Sequence, residues 1–394
     1  MLCVAGALYL AAGKPRGPGD SRLPESAVPA EEGNRPAPEP EVRLSEGRSV
    51  ESDAAFQIDN CLVGLSLRDK IAQLFLVNLS GNSRFVPVDF DQDKKPLIPG
   101  GYLFFSYNIA ETSDTVREFT SSIRDFCIVQ GKIPPYLAID HEGGSVNRLR
   151  NLVSPALPSA REVAEALSPR DAESLYRIQG QRLAELGFHL NVAPVVEIET
   201  PDNTEFIHGR SFGSPEQAAL FGRAAVAGYR RGGIQSAVKH FPGNTNDDPH
   251  TGFPEIAAAP EELEALYIAP FREVLKSDPA AALMSHARTA FFDPGRPACL
   301  SYFWVTRMLR EQLGFNGLII SDDRYMAVLG KNGFPPETAA IMAIEAGIDV
   351  IMISEKRCFP LVEALERKAA SEADFAQKID RAARRVLEFK SRCG

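Results

Sequence analysis

Between Lys239 and His250 the chain carries five ionisable groups in twelve residues: Lys239, His240, Asp247, Asp248 and His250. The stretch starts inside a short apolar run, Gln235-Ser-Ala-Val-Lys-His-Phe, and continues as Gly, Asn, Asp and Pro, which is loop chemistry. Charge buried at the mouth of a strand is costly unless it is paired or used, so the cluster points to a site for polar chemistry. Other apolar runs end in the same way. One closes with Asp140-His141-Glu142-Gly143-Gly144, another runs from Asn191 to Glu197, and two more end in Ser285-His286 and Ser321-Asp322-Asp323. A packed core has no use for this many polar groups at shared positions. Taken singly, His286 and Asp323 also read as hydrogen-bonded packing residues.

The elements that must hold these groups are eight apolar strand-like runs: Leu74–Leu79, Gly101–Phe105, Tyr136–Asp140, Leu190–Glu197, Ser236–His240, Ala281–His286, Gly317–Asp322 and Val350–Ser354. Amphipathic segments lie between them. Val116, Phe119, Ile123 and Phe126 recur at helical spacing. A helix is expected from Ser168-Pro169 to Gly187, another over Phe221, Ala225 and Tyr229 as far as Gly232-Gly233, a third over Leu263–Val274 and a last one over Phe375–Phe389. Continuous apolar strands alternating with helices indicate a parallel sheet covered by helices. Eight such units over this length fit a single-domain (β/α)₈ TIM barrel, an α/β fold whose sites lie at the C-terminal ends of the strands. An open doubly wound sheet is the alternative, weakened because no Gly-x-Gly-x-x-Gly turn follows the first strand.

The same positions carry a family resemblance. Lys239-His-Phe-Pro-Gly243, Asp248, His250 and Pro254 resemble the catalytic loop of bacterial β-N-acetylglucosaminidases of glycoside hydrolase family 3. Asp140-His-Glu-Gly-Gly-Ser-Val-Asn-Arg148, Asn191-Val-Ala-Pro-Val-Val, His208-Gly-Arg210-Ser-Phe-Gly213, Pro297-Ala-Cys-Leu-Ser301 and Leu313-Gly-Phe-Asn-Gly-Leu-Ile-Ile-Ser-Asp322-Asp323 are similar to that family's other motifs, in its order. The likeness spans about residues 60 to 392 and is to the single-domain members. It implies a retaining β-N-acetylhexosaminidase that releases terminal β-linked N-acetylglucosamine from peptidoglycan fragments or chitooligosaccharides. Asp322 is then the nucleophile of a covalent glycosyl-enzyme, and His250, held by Asp248, the acid and base. A carboxylate two residues away on a loop can reach an imidazole, stabilise its charged form and fix its tautomer. Asp140, Arg148, Arg210, Lys239 and His240 match positions that hold the sugar. Aspartate accepts from a diol, and Arg and Lys donate to hydroxyl and carbonyl oxygens. No metal or organic cofactor is implied.

Departures from the family pattern cluster near the site. Ser145 stands where Arg is common, Asn244 and Thr245 where His-Gly is usual, Pro249 where Ser is, Arg324-Tyr325 before Met326 and His141 for Gln; the loop is also shorter. Two other readings stay open: a phosphorylase on the same scaffold, since a neutral imidazole repels phosphate less than a carboxylate, and a catalytically weak sugar-binding relative.

Bulk properties exclude other classes. The chain has 394 residues, 44% of them hydrophobic, with a net charge of −9 and an isoelectric point near 5.4. That balance argues against a nucleic-acid partner. Cys3, Cys61, Cys127, Cys299, Cys358 and Cys393 are scattered, which is neither a disulfide framework nor a zinc pattern. Residues 2 to 12 form an uncharged apolar run of signal-peptide length, too short to span a bilayer comfortably. Residues 13–52, rich in Pro, Gly and Glu, read as a disordered linker before a globular part at 53–394. The expectation is a monomeric enzyme that is exported, periplasmic or tethered to a membrane through residues 1–12, with a cytoplasmic location as the alternative.

Overall fold

The computed structural model describes residues 50–246, 253–322, 330 and 332–393. Among them, eight parallel strands form one sheet: β1 Phe75–Asn78, β2 Gly101–Phe104, β3 Tyr136–Ile139, β4 Leu190–Asn191, β5 Gln235–Phe241, β6 Ala281–Met284, β7 Leu318–Ile320 and β8 Ile351–Ile353. Their order in space is their order in sequence, with β8 beside β1. A parallel bridge between Ile320 and Val350, with Ser321 N donating to Val350 O at 2.9 Å and Asp349 N to Ile319 O at 3.0 Å, joins β7 to the entry of β8 and closes the ring. The result is the (β/α)₈ barrel, and each of the eight expected runs supplies one strand.

The sequence alternation sorts each strand's side chains between two cores. Leu76, Leu103, Tyr136, Ala138, Leu190, Ala237, Leu283, Leu318, Ile320 and Met352 fill the barrel. Phe75, Val77, Phe104, Ile139, Val238, Met284, Ile319 and Ile351 pack outward against the helices. This period matters for function. Asn78, Phe105, Asp140, Lys239 and Asp322 are in phase with the inward set and stand at the C-terminal ends of their strands.

The helices begin where the sequence signals place them. The helix Ser113–Val129 is capped by Thr112, whose side chain accepts from Thr115 N at 3.2 Å. Ser168 caps Pro169–Glu185 by accepting from Asp171 N at 3.2 Å. Ser214 and Gln217 form a reciprocal capping box at the start of Pro215–Arg231. These last two helices pack closely because glycine leaves room. A Cβ at Gly228 would lie 2.5 Å from Glu173 O. The segment over Leu263–Val274 is helical but divided, with a wider turn at Leu263–Ile268 before Ala269–Leu275. The final helix is Ala373–Ser391. A helix over Val50–Gly64 takes in residues 50–52, which composition assigns to the linker; residues 1–49 lie outside the described part. Among the described residues no helix is long and apolar enough to cross a membrane.

Candidate active site

Four strand ends meet over the barrel mouth. β5 supplies Lys239 and His240 at an irregularity in register between Val238 and Phe241. An irregularity of this kind re-aims side chains beside a site. The Lys239–His240 and Phe241–Pro242 peptide bonds are cis. The two consecutive side chains serve separate charge clusters.

Lys239 is 2% exposed, and its ammonium lies 2.6 Å from both Asp140 Oδ1 and Glu142 Oε1. Glu142 is also held in a fork by Arg210, with Nε donating to Oε2 at 2.8 Å and Nη2 to Oε1 at 2.9 Å. Burial opposes the charge of Glu142, but the adjacent Lys239 and Arg210 outweigh it and hold its carboxyl below the usual carboxylate range. Arg148 Nη2 reaches Asp140 Oδ2 at 3.5 Å, and its guanidinium lies 5.7 Å from the Phe105 ring centre. The cluster is therefore nearly charge-balanced. Asp140, Arg148 and Arg210, at 23%, 18% and 17% side-chain exposure, are its accessible members.

His240 belongs to the second cluster. Its Nδ1 meets Glu197, its backbone N donates to Glu197 Oε1 at 3.2 Å, and its ring stands edge-on to Phe206 at 5.8 Å. Asn244 Nδ2 lies 3.3 Å from each oxygen of the same carboxylate. The departure from histidine at Asn244 is thus accommodated as a neutral donor to Glu197.

The backbone behind these groups is fixed. Asn191, fully buried, accepts from His141 N at 3.0 Å and donates to His141 O at 2.9 Å, which anchors the loop carrying Asp140 and Glu142. The loop then turns at Gly143 (φ +100°) and Gly144 (φ +52°), and Glu142 N donates to Val146 O at 2.9 Å. A Cβ at Gly143 would lie 2.1 Å from Pro158 O, so only glycine fits.

Asp322 follows β7 and lines a small cavity of about 10 Å³ with His286, Cys299, Ser321 and the alanines of the helix Pro336–Ala346. Ser321 Oγ accepts from Met352 N at 3.2 Å, tying the residue before Asp322 to β8. Burial lowers His286 to about 4, partly opposed by the charge of Asp322, so the imidazole is neutral at neutral pH. Burial and the same charge push the Cys299 thiol up.

The fold thus brings together Asp140, Arg148, Arg210 and Lys239, sets His240 beside them with its own acid, and puts Asp322 on the same end of the barrel. Asp248, His250, Asp323, Arg324 and Tyr325 lie outside the described residues. Two residues not singled out from sequence complete the site: Glu142 and Glu197. Each was visible as an acid at a strand end, and a buried Lys or Arg requires such a counter-charge.

Comparison with known proteins agrees with this geometry. Residues 66–389 match the profile of the glycosyl hydrolase family 3 N terminal domain. The chain is 32% identical over 279 residues to the β-hexosaminidase of Methylococcus capsulatus, covering 69% of this chain and 81% of that one. It is 29% identical over 339 residues to β-hexosaminidase LpqI of Mycobacterium tuberculosis, covering 83% of each. Among solved structures, it is similar to a family 3 β-N-acetylglucosaminidase from Paenibacillus sp. str. FPU-7, with 30% identity and a TM-score of 0.74; the match covers 84% of this chain and spans 63% of the other.

Proposed function

We propose, from the premise that the chain belongs to glycosyl hydrolase family 3 and is a glycoside hydrolase, that it is a retaining β-N-acetylhexosaminidase releasing terminal β-linked N-acetylglucosamine. The observation that carries the reading is the presence of both Asp322 and the Lys239–Asp140–Arg148 cluster at the C-terminal end of one closed barrel. Such a site has a carboxylate for the anomeric carbon and, across the mouth, donors and an acceptor for sugar hydroxyls.

In the first step an Asp322 carboxylate oxygen bonds to the anomeric carbon as the bond to the leaving oxygen breaks. His250 gives that oxygen its proton, with Asp248 stabilising the imidazolium. In the second step His250 takes a proton from water, the water oxygen bonds to the anomeric carbon, and Asp322 leaves as carboxylate. Asp140, Arg148 and Lys239 hold the sugar's hydroxyls. Arg210 and Glu142 fix Lys239, and Glu197 fixes His240. Peptidoglycan fragments and chitooligosaccharides are the substrates that fit. Export through residues 1–12 is part of the same proposal, and cell fractionation tests it.

The test is release of p-nitrophenol from the β-N-acetylglucosaminide and the β-glucoside by the wild type, Asp322→Ala and His250→Ala. Selective turnover of the first substrate, lost by orders of magnitude in both variants, supports the reading. Full activity in His250→Ala would show that the acid lies elsewhere. Nuclear magnetic resonance of the first sugar released reads the stereochemistry, and the α-anomer would exclude a glycosyl-enzyme. Product analysis with and without phosphate separates hydrolysis from phosphorolysis.

A further inference from the structure

At the N-terminal end of the barrel, away from the strand ends described above, a cavity of about 320 Å³ lies beside the starts of β3 and β4. The helix Ser113–Val129 lines it with Ile123 and Arg124, and the turn Ile133-Pro134-Pro135 lines it on the way into β3. His189, just before β4, and Lys390 and Cys393, at the end of the final helix, complete it. The volume is in the range of small-molecule sites, and the chemistry above makes no use of it. Among the described residues that line it there is no aspartate or glutamate.

Lys390 is the polar centre of this cavity. Its Nζ donates to the Gln73 amide oxygen at 2.6 Å, and among the described residues it forms no ion pair. Asp69, one turn before Gln73, is taken by Lys132 at 2.7 Å. Glu388 and Arg392 stand two positions from Lys390 on the same helix and so point elsewhere. The thiols of Cys61, Cys127 and Cys393 also face the amine, and burial, opposed only by them, lowers it to about 7. His189 Nδ1 accepts from Leu137 N at 2.9 Å, so the neutral ring carries its proton on Nε2 and is a donor there. Burial, with Lys390 and Arg124 nearby, holds this imidazole at about 4. Arg124 is exposed at the rim beside Asp125 and keeps its charge. Burial pushes the Tyr136 hydroxyl up and the Cys393 thiol up to about 12. Of the lining groups, only Lys390 changes charge between pH 6 and 8.

We propose that this cavity is a second binding site, for an amphipathic carboxylate: an apolar body that ends in one acid group. The body covers Ile123, Ile133, Pro134 and Pro135, and the carboxylate accepts from the Lys390 ammonium and from His189 Nε2. The missing acid selects the ligand. A lysine that the fold leaves without a counter-charge gains most from a molecule that brings one, whereas a neutral or cationic molecule with the same body leaves it unpaired. The site is at the other end of the barrel from Asp140 and Asp322 and does not depend on the hexosaminidase reading.

The experiment titrates octanoate, 1-octanol and octylammonium, which share one apolar chain, into the full chain by calorimetry at pH 6 and pH 8. Octanoate is ionised throughout this range. The wild type should bind one octanoate, about tenfold more tightly at pH 6 than either of the other two, the range of a hydrogen bond to a charged group. Only the ammonium form of Lys390 is competent. With its amine at about 7, the competent share falls about tenfold from pH 6 to pH 8, and Kd rises by the same factor. Lys390→Met removes a buried charge, so it folds, as circular dichroism checks, and should lose the preference for octanoate over octanol. Ser121→Trp fills the mouth from an exposed position on the helix Ser113–Val129 and should abolish binding without lowering Tm. Equal affinity for octanoate and octanol in the wild type would make the cavity a mere apolar gap and overturn the proposal. So would the same Kd at pH 6 and pH 8, or a preference that survives in Lys390→Met. Unchanged binding in Ser121→Trp would put the ligand elsewhere, and no binding of octanoate at millimolar concentration would remove the site.

Discussion

Replacing Glu142 by Gln tests the electrostatic logic of the site most directly. The carboxylate is buried and faces two cations, Lys239 at 2.6 Å and Arg210 through a two-bond fork. Gln keeps the volume and one acceptor oxygen but removes the charge. Breaking a buried ion pair from one side costs about 3–5 kcal/mol because the partner charge stays buried. Lys239 retains Asp140, and Arg210 is 17% exposed, so the lower end applies, about 3 kcal/mol. With an unfolding entropy of about 2.1 cal/mol/K per residue, a barrel of roughly 340 residues loses about 4 °C in Tm. The pH dependence has a definite sign. The folded-state carboxyl is held below its unfolded value, so the wild-type advantage is complete above the ordinary carboxylate range and shrinks as pH falls through the lowered one. Urea unfolding of both proteins from pH 8 down to pH 3 reads this out. The difference should be flat between about pH 5 and 8 and narrow below about pH 4. Equal stability at pH 7, or a gap that widens in acid, would refute the assignment of Glu142 as the anion that compensates Lys239 and Arg210.

Other outcomes follow from the same geometry. Burial holds His141 at about 4, below its ordinary 6.5, so the unfolded chain binds the proton first and stability falls as pH drops between those values. His141→Gln should flatten this slope and recover up to about 3 kcal/mol at pH 4, measured by urea unfolding; an unchanged slope would exclude the burial argument. Asn191→Leu leaves both His141 backbone groups without their partner and should cost about 3 kcal/mol, with kcat/KM falling as the Asp140 loop loosens. A loss below about 1 kcal/mol would show that the loop is anchored elsewhere. Asn244→Ala removes the neutral donor to Glu197 and should lower activity on the β-N-acetylglucosaminide while Tm changes little, since His240 still faces the carboxylate. A large drop in Tm with intact activity would reverse the roles given to the pair.

The barrel was legible because its strands are buried on both faces. Runs such as Leu74–Leu79 and Gly317–Asp322 carry no competing period, and the helices between them announce their ends with Ser-Pro, Ser and Gly signals. The divided helix at Leu263–Leu275 shows the limit: apolar spacing does not distinguish a regular helix from one with a wide turn. At the site, Asp140, Arg148, Arg210 and Lys239 could be named because they stand in motifs at strand ends. Their pairing could not. Glu142 and Arg210 are 68 positions apart, and Glu197 and His240 are 43 apart, so which acid neutralises which base emerges only when the strands close. For the same reason the packing of Tyr107 between Phe105 and Lys356, which stand on different strand ends, leaves no motif. It depends on β8 and β2 flanking β1.

The closure of the ring also has a temporal side. Among the described residues, Asp322 stands at the one strand junction of the ring joined by a bridge rather than a ladder. Asp349, buried between Arg310 and Arg385 and accepting from Ile319 N at 2.9 Å, secures that junction from the entry to β8. A growing chain that has reached residue 349 already contains Asp140, Lys239, His250 and Asp322, but not the last strand or the Arg385 that clasps it. The clasp that secures the strand end carrying Asp322 is therefore supplied by chain that is synthesised after it.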